Sequence, residues 1–184
     1  MAIYIKRGKD DNQVRSEDRK IAGIVADIIK DIEVNGDAAV RKYSEQFDHW
    51  SPESFRLTKR QIEEAIASLP DRVIKDIQFA QAQIRNFARR QKEAIVDIEV
   101  ETLPGVILGH KNIPVSSAGC YIPGGRYPMI ASAHMSIITA KEAGVERVMA
   151  CTPALKGKLP AETVAAMHMA GADEIYILGG VQAM

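Results

Sequence analysis

Three short apolar runs alternate with two helical patterns between residues 117 and 178, and this alternation restricts the possible folds more than any other feature. The runs at 117–123, 147–152 and 174–178 predict strands, whereas 130–143 and 160–170 predict helices. Because the links are short, the β-α-β-α-β order predicts a parallel sheet with right-handed crossovers. We therefore expect half of a doubly wound, Rossmann-like α/β domain.

This α/β domain is expected to be incomplete. The last predicted strand runs into Gly179-Gly180, and residues 181–184 have the pattern of the first turn of another helix. Helices average about three turns, and a parallel sheet carries helices on both of its faces. We expect the chain to be the truncated, N-terminal part of a longer protein.

The first part of the chain differs in periodicity and is rich in charge. Apolar residues from Ile21 to Ile32 repeat at helical spacing, and Asn35-Gly36 is a suitable helix end. Asp37 is expected to cap the next helix. We divide the chain into a helical N-terminal region, residues 1–94, and a partial cofactor-binding α/β domain, residues 95–184.

Two further helix starts are predicted before the boundary at residue 94. Thr58 and Gln61 have the spacing of a capping box, and Pro70-Asp71 opens the following helix. After the boundary, Ile98 and Val100 alternate with acidic residues, which predicts a half-exposed strand.

Composition excludes several classes of function. Apolar residues make up 46% of the chain, and its 24 basic residues balance 24 acidic ones, so no nucleic-acid partner and no anionic membrane surface are expected. No apolar stretch approaches the roughly 20 residues of a membrane span. Cys120 and Cys151 lie in apolar runs and are interpreted as buried free thiols, which favours a cytoplasmic location.

Two glycine pairs follow predicted strands, at Gly124-Gly125 and at Gly179-Gly180. Ligands of parallel sheets bind outside the carboxyl ends of the strands. Glycine lets the backbone approach a phosphate, and a helix N-terminus favours an anion. The pairs therefore favour a nucleotide or another anionic ligand, although a tight turn explains each pair taken alone.

Polar residues after the first glycine pair are candidate substrate contacts. Arg126 could bind a carboxylate, phosphate or sulfonate bidentately, near Ser132 and His134. The alternatives are a solvated arginine and a histidine satisfied within the core. No HxxxH, CxxC or HExxH spacing occurs, so the sequence contains no recognisable metal site.

The ordered motifs YIPGG, AKEAGV, AGADEIY and GGVQA resemble the histidinol dehydrogenase family, and a weaker resemblance extends through NGDAAVRKYSEQFD. The resemblance implies a homodimeric enzyme with exchanged segments, which uses NAD and zinc to oxidise a small-molecule alcohol through an aldehyde to a carboxylate. Tyr121 and Gln182 match family residues that contact NAD, and Gly124 and Gly125 join them as cofactor-binding candidates. The family's zinc ligands and catalytic residues lie later, so none is assigned to this chain.

One stretch departs from histidinol dehydrogenases proper. They usually have small residues and a YPSSVLMN-like run after the glycines, whereas this chain has GGRYPMIASAHMS. That stretch looks more like the branch that oxidises sulfopropanediol, and an arginine suits a sulfonate better than cationic histidinol. The alternative to an enzyme is a non-catalytic nucleotide-binding or interaction module that is complete as it stands.

Overall fold

The computed structural model describes residues 11–124 and 127–184. The first part of this range is helical, as predicted. Its helices are α1 (Asp11–Asn35), α2 (Asp37–Asp48), α3 (Lys59–Ala67) and α4 (Asp71–Glu93).

The helix ends follow the local sequence, with one correction. Thr58 and Gln61 form the predicted capping box, in which the Gln61 N–H donates to Thr58 Oγ1 at 3.3 Å and the Thr58 N–H donates to Gln61 Oε1 at 2.9 Å. The prediction that Asp37 caps α2 was wrong. Gly36, at φ 53°, occupies the N-cap, and Asp37 is the first helical residue. There its charge faces the positive end of the helix dipole.

A β-hairpin follows the helices and is exposed along its whole length. Strands β1 (Ile98–Leu103) and β2 (Val106–His110) pair antiparallel, with Gly105 at φ 81° in the turn. The strand predicted from Ile98 and Val100 is confirmed, but its predicted half-burial is wrong, because every residue of β1 is exposed.

The remaining elements form the predicted parallel sheet. Its strands β3 (Ser117–Tyr121), β4 (Arg147–Thr152) and β5 (Glu174–Ile177) lie in the order β3-β4-β5, and both pairings are parallel. The first crossover contains α5 (Ile130–Ala133), a π-helical turn (His134–Ile138) and α6 (Thr139–Ala143); the second contains α7 (Ala161–Ala170). The α/β fold class is therefore confirmed.

The outer edge of β5 is covered by the loop between α2 and α3. The Leu57 N–H donates to Ile175 O at 2.8 Å, and the Ile177 N–H donates to Phe55 O at 2.9 Å. This antiparallel pairing joins the helical region to the sheet and protects an edge that would otherwise be open.

The core fills one face of the sheet. Val148 and Ala150 of β4 are fully enclosed there, with Met167 of α7. Leu57 and Ile77 add to the same core from the helical region. The core thus continues across residue 94, and the division of the chain at that point stays a prediction. Among the described residues, no helix has both the length and the apolarity needed to cross a bilayer.

Both cysteines are free thiols on this sheet. Cys120 is buried as predicted, whereas Cys151 is only half-buried because it lies on the opposite face from the core. Burial raises the pKa of the Cys120 thiol and raises the pKa of Cys151 to about 11. Both thiols are therefore protonated near neutral pH and poorly nucleophilic.

Candidate functional site

The two glycine loops meet at the carboxyl end of the sheet, on either side of Pro153. Pro153 follows the central strand β4. A Cβ added to Gly124 would stand 3.0 Å from Pro153 Cγ, and one added to Gly179 would stand 2.4 Å from Pro153 Cβ. A side chain at Gly179 would overlap Pro153 and one at Gly124 would crowd it, because both loops touch this proline directly.

Tyr121 and the second glycine loop are joined by a hydrogen bond across the sheet. The Gly180 N–H donates to Tyr121 Oη at 3.2 Å. Since the phenol oxygen accepts this bond, its own proton remains available to a ligand. The bond puts Tyr121 and the loop after β5 at the same end of the sheet, where the carboxyl ends of parallel strands lie.

Gln182 lies in the short 3₁₀ turn Val181–Ala183 and folds back on the loop. Its Oε1 is 2.7 Å from the point where a Cβ of Gly180 would stand, and Gly180 has φ 69° and ψ −165°, a conformation that essentially only glycine adopts. Gln182 is 8% exposed, and neither polar atom of its amide has a hydrogen-bond partner in the described part of the chain. A buried amide without partners is costly, and such groups mark places where a ligand or a further segment supplies the bonds.

His134 lies in the core instead of at the carboxyl end of the sheet. It begins the π-helical turn, it is 4% exposed, and its Nδ1 is 3.1 Å from Nε2 of the buried Gln81. Gln81 Nε2 also donates to Ala166 O at 2.9 Å, so the amide nitrogen must face both groups and His134 Nδ1 must accept. Its proton therefore resides on Nε2, and burial lowers the pKa of the ring. These surroundings match the alternative of a satisfied core histidine.

We expect Gln81→Leu to destabilise the fold by roughly 2–3 kcal/mol, because two buried acceptors lose their donor. Chemical denaturation measures this change, with Gln78→Leu on the exposed face of α4 as the control. A Gln81→Leu protein as stable as the wild type would contradict these hydrogen bonds.

The lowered pKa of His134 predicts that stability depends on pH, since the unfolded chain binds a proton at a pH where the folded ring stays neutral. This contribution to stability is fully present above the ordinary pKa of 6.5 and is lost as the pH falls below it.

Of the other two predicted substrate contacts, Ser132 and Arg126, the structure describes only Ser132. Ser132 is half-buried, and its carbonyl accepts the Ser136 hydroxyl at 2.7 Å. Gly125 and Arg126 lie outside the described residues, so their predicted roles stay predictions.

Asp48, at the end of α2, also lies at the carboxyl end of the sheet. No sequence pattern identified it as a candidate site residue. Its Oδ2 is 3.2 Å from the Cβ position of Gly179 and has no hydrogen-bond partner within residues 11–124 and 127–184. No local signal distinguishes Asp48 from the other acidic residues of the helical region. Its position depends on the packing of α2 beside the second glycine loop.

Within the described ranges, no group of three or more histidine, cysteine, aspartate or glutamate residues is arranged to hold a metal ion. The polar groups at the carboxyl end of the sheet are a phenol, an amide, a carboxyl and glycine backbone. The phenol, the amide and the backbone N–H groups can donate to hydroxyl and phosphate groups of a nucleotide, whereas the carboxylate can accept only from hydroxyl groups.

Comparison with known proteins identifies the family. The family model of histidinol dehydrogenase matches residues 11–184. The chain therefore belongs to the histidinol dehydrogenase family, as its motifs indicated.

Relatives with different names are similar to this chain. A histidinol dehydrogenase homolog of Shouchella clausii is 62% identical over 184 residues, covering 100% of this chain and 43% of the relative. The sulfopropanediol 3-dehydrogenase of Ruegeria pomeroyi is 44% identical over 91% of this chain and 39% of its own length. The histidinol dehydrogenase of Methanothermobacter thermautotrophicus is 41% identical over 89% of this chain and 38% of its own length.

A solved structure has the same fold. The crystal structure of histidinol dehydrogenase from Elizabethkingia anophelis superposes with a TM-score of 0.82 at 28% identity, covering 98% of this chain and 39% of that one. The chain thus spans less than half the length of the relatives it matches.

Proposed function

We propose that this chain is the N-terminal part of an NAD-dependent, zinc-containing dehydrogenase that oxidises a primary alcohol through an aldehyde to a carboxylate. Membership of the histidinol dehydrogenase family supports a dehydrogenase. The observation that carries the cofactor proposal is the unpaired, buried amide of Gln182 on the Gly179-Gly180 loop, beside Tyr121.

The residues present fit a dinucleotide. The Gln182 amide can both donate to and accept from a ligand, and the backbone of the Gly179-Gly180 loop lies beside it. Tyr121 is held in place by the Gly180 N–H and keeps its own proton to donate. When bound, NAD would accept the hydride of the alcohol carbon. The role of these residues would be to bind and orient the cofactor.

The described residues do not fit a zinc ion, because no group of three or more histidine, cysteine, aspartate or glutamate residues comes together among them. From the resemblance to the family we infer that the zinc ligands and the catalytic residues lie C-terminal to Met184 in the full-length protein. We therefore expect the 184-residue chain to be inactive by itself, and cofactor binding is the informative measurement.

The substrate we propose is histidinol or a small sulfonated diol such as sulfopropanediol. Relatives with names of both kinds are similar to this chain. Arg126 favours the sulfonate, because a guanidinium attracts an anion and repels cationic histidinol. Comparison of kcat/KM for histidinol and for sulfopropanediol in the full-length, active protein tests which of the two is the substrate. A preference for histidinol would refute the sulfonate assignment.

We further propose that the full-length protein is a cytoplasmic homodimer. Large apolar side chains remain exposed on α1, where Ile21 is 59% exposed, and on the hairpin, where Leu108 is 57% exposed. Surfaces of this kind commonly mark interfaces. Sedimentation of the full-length protein tests the proposal, and a monomer at micromolar concentration would contradict it.

Calorimetric titration of the 184-residue chain with NAD tests the proposed cofactor site. We expect saturable binding, weakened about tenfold by Gln182→Leu because the ligand loses its bonds to the amide. Tyr121→Phe should weaken binding as well, since it removes the phenol proton offered to the ligand and the bond from the Gly180 N–H. The exposed Gln78→Leu serves as the control. Absence of NAD binding, or equal affinity in all variants, would refute the proposed role of this loop.

A further inference from the structure

Asp48 carries a carboxyl group whose bonding is incomplete within the described chain. Its Oδ2 is enclosed and has no hydrogen-bond partner there, although the residue as a whole is only half-buried. Burial raises the pKa of this carboxyl, and the nearby His49 offsets the effect only in part. An enclosed acceptor without a donor destabilises the fold. Its presence next to a candidate ligand site therefore calls for a functional explanation.

The turn after α2 fixes this carboxyl at the carboxyl end of the sheet. His49 ends the helix in the left-handed conformation, at φ 51° and ψ 42°, and its N–H still donates to Glu45 O at 3.1 Å. The His49 carbonyl oxygen is 3.2 Å from the Cβ position of Gly157, in the loop after β4. Asp48 Oδ2 itself lies against Gly179, in the loop after β5. The turn therefore packs on both loops that follow the neighbouring strands.

The Asp48 carboxyl and the Gln182 amide lie against neighbouring glycines of one loop and have complementary hydrogen-bonding chemistry. The Asp48 carboxyl adjoins Gly179, and the Gln182 amide adjoins Gly180. An ionised carboxylate only accepts hydrogen bonds, whereas an amide donates and accepts. A phosphate would be repelled by the carboxylate, but neighbouring hydroxyl groups can donate to it and accept from the amide. A vicinal diol is the ligand group that matches both.

We propose that Asp48 is a ligand-binding residue that accepts hydrogen bonds from the ribose hydroxyls of the dinucleotide at the Gly179-Gly180 loop. The inference rests on the proposed NAD site and extends it to the helical N-terminal region. It also explains why an unpaired carboxyl oxygen is kept beside the loop, since the bound ribose supplies the missing donors.

The decisive variant is Asp48→Asn, which keeps the size of the side chain and removes its charge. We expect the variant to be at least as thermostable as the wild type, because a carboxylate lacking donors is no longer buried. Its dissociation constant for NAD should rise about ten- to a hundredfold, the range for one lost charged hydrogen bond. Asp37→Asn, at an exposed position of the same helix, is the matched control and should leave NAD affinity unchanged.

Deoxyribose analogues of NAD identify the contact. One analogue lacks hydroxyl groups on the adenosine ribose, and another lacks them on the nicotinamide ribose. If Asp48 binds a ribose hydroxyl, the wild type binds one of these analogues more weakly than NAD. Asp48→Asn should bind that analogue no more weakly than the wild type does. NAD binding that is equally tight in wild type and Asp48→Asn overturns the inference and leaves the proposed function standing. A wild-type chain that does not bind NAD overturns both.

A structural role gives a different result. If Asp48→Asn loses thermal stability together with NAD affinity, the carboxyl supports the fold and the ligand-binding role is wrong. Asp48→Ala provides a second test, because it removes every acceptor at this position. Unchanged NAD affinity in a folded Asp48→Ala protein likewise overturns the inference.

Discussion

Gly179→Ala is expected to destabilise the chain by about 3 kcal/mol or more, at the upper end of the usual cost of overpacking. The new Cβ would stand 2.4 Å from Pro153 Cβ and 2.9 Å from Pro153 Cα. A proline ring and a backbone atom cannot turn aside as a flexible side chain can, so the glycine loop itself must move. Thermal unfolding should show a decrease in Tm of roughly 6–12 °C for a chain of this length.

Displacement of this loop should also affect the candidate cofactor site. The Gly180 N–H would no longer reach Tyr121 Oη, so NAD affinity is expected to fall along with stability. Gly119→Ala in β3 is the control, because a Cβ there meets no atom within 4 Å. Its effect should stay within about 0.5 kcal/mol. Equal stability of the two variants would show that Pro153 and the loop do not pack as described.

Glu142→Gln is expected to cost roughly 1–3 kcal/mol, the value of charged hydrogen bonds discounted for partly exposed partners. Glu142, on α6, accepts from Arg85 Nη1 at 2.8 Å and from Arg89 Nε at 2.9 Å, both on α4. The Glu142 side chain is 14% exposed. The substitution would leave two guanidinium groups without their carboxylate and loosen α4 from the sheet domain. Urea denaturation measures the change.

The pH dependence provides a separate check on Glu142. Burial by itself would raise the pKa of this carboxyl, but the hydrogen bonds from Arg89 and Arg85 outweigh it, and the pKa is lowered. The stabilisation is therefore fully present above the ordinary pKa of 4.5 and is lost as the pH falls below it. Glu142→Gln should remove this dependence, whereas Glu93→Gln, in an exposed pair with Arg90, should retain it. An identical acid transition in all three proteins would refute the assignment.

Local signals account for what the sequence predicted well. The Thr58–Gln61 capping box depends on residues three apart, and the strands and helices after residue 117 follow from hydrophobic period and from glycine at the helix ends. Chain order then dictates a parallel sheet, because short links between such elements allow few topologies. In such a sheet, residues that follow neighbouring strands lie at one end, as Tyr121 and the Gly179-Gly180 loop do. The family motifs lie in the same part of the chain.

Hydrophobic patterns in the sequence predicted less reliably which side chains are buried. The apolar face of α1 was recognised from its spacing, yet only Ile28 on it is buried and Ile21 and Ile24 are largely exposed. Periodicity shows which residues share a face of a helix, whereas burial depends on what packs against that face. The same distinction applies to His134. Its sequence position allowed a substrate contact or a core histidine, and its contact with Gln81, 53 residues away, gives it the surroundings of the latter.

The sequence by itself determined the order of helices and strands, the parallel sheet and the family, because these follow from local periodicity, capping and ordered motifs. Only the tertiary structure decided that residues 55–57 cover the edge of β5, that Gln81 bonds to His134, and that Asp48 lies against Gly179. These contacts join segments separated by 50 or more residues. No local pattern encodes them, because they arise from the packing of whole elements around a shared core.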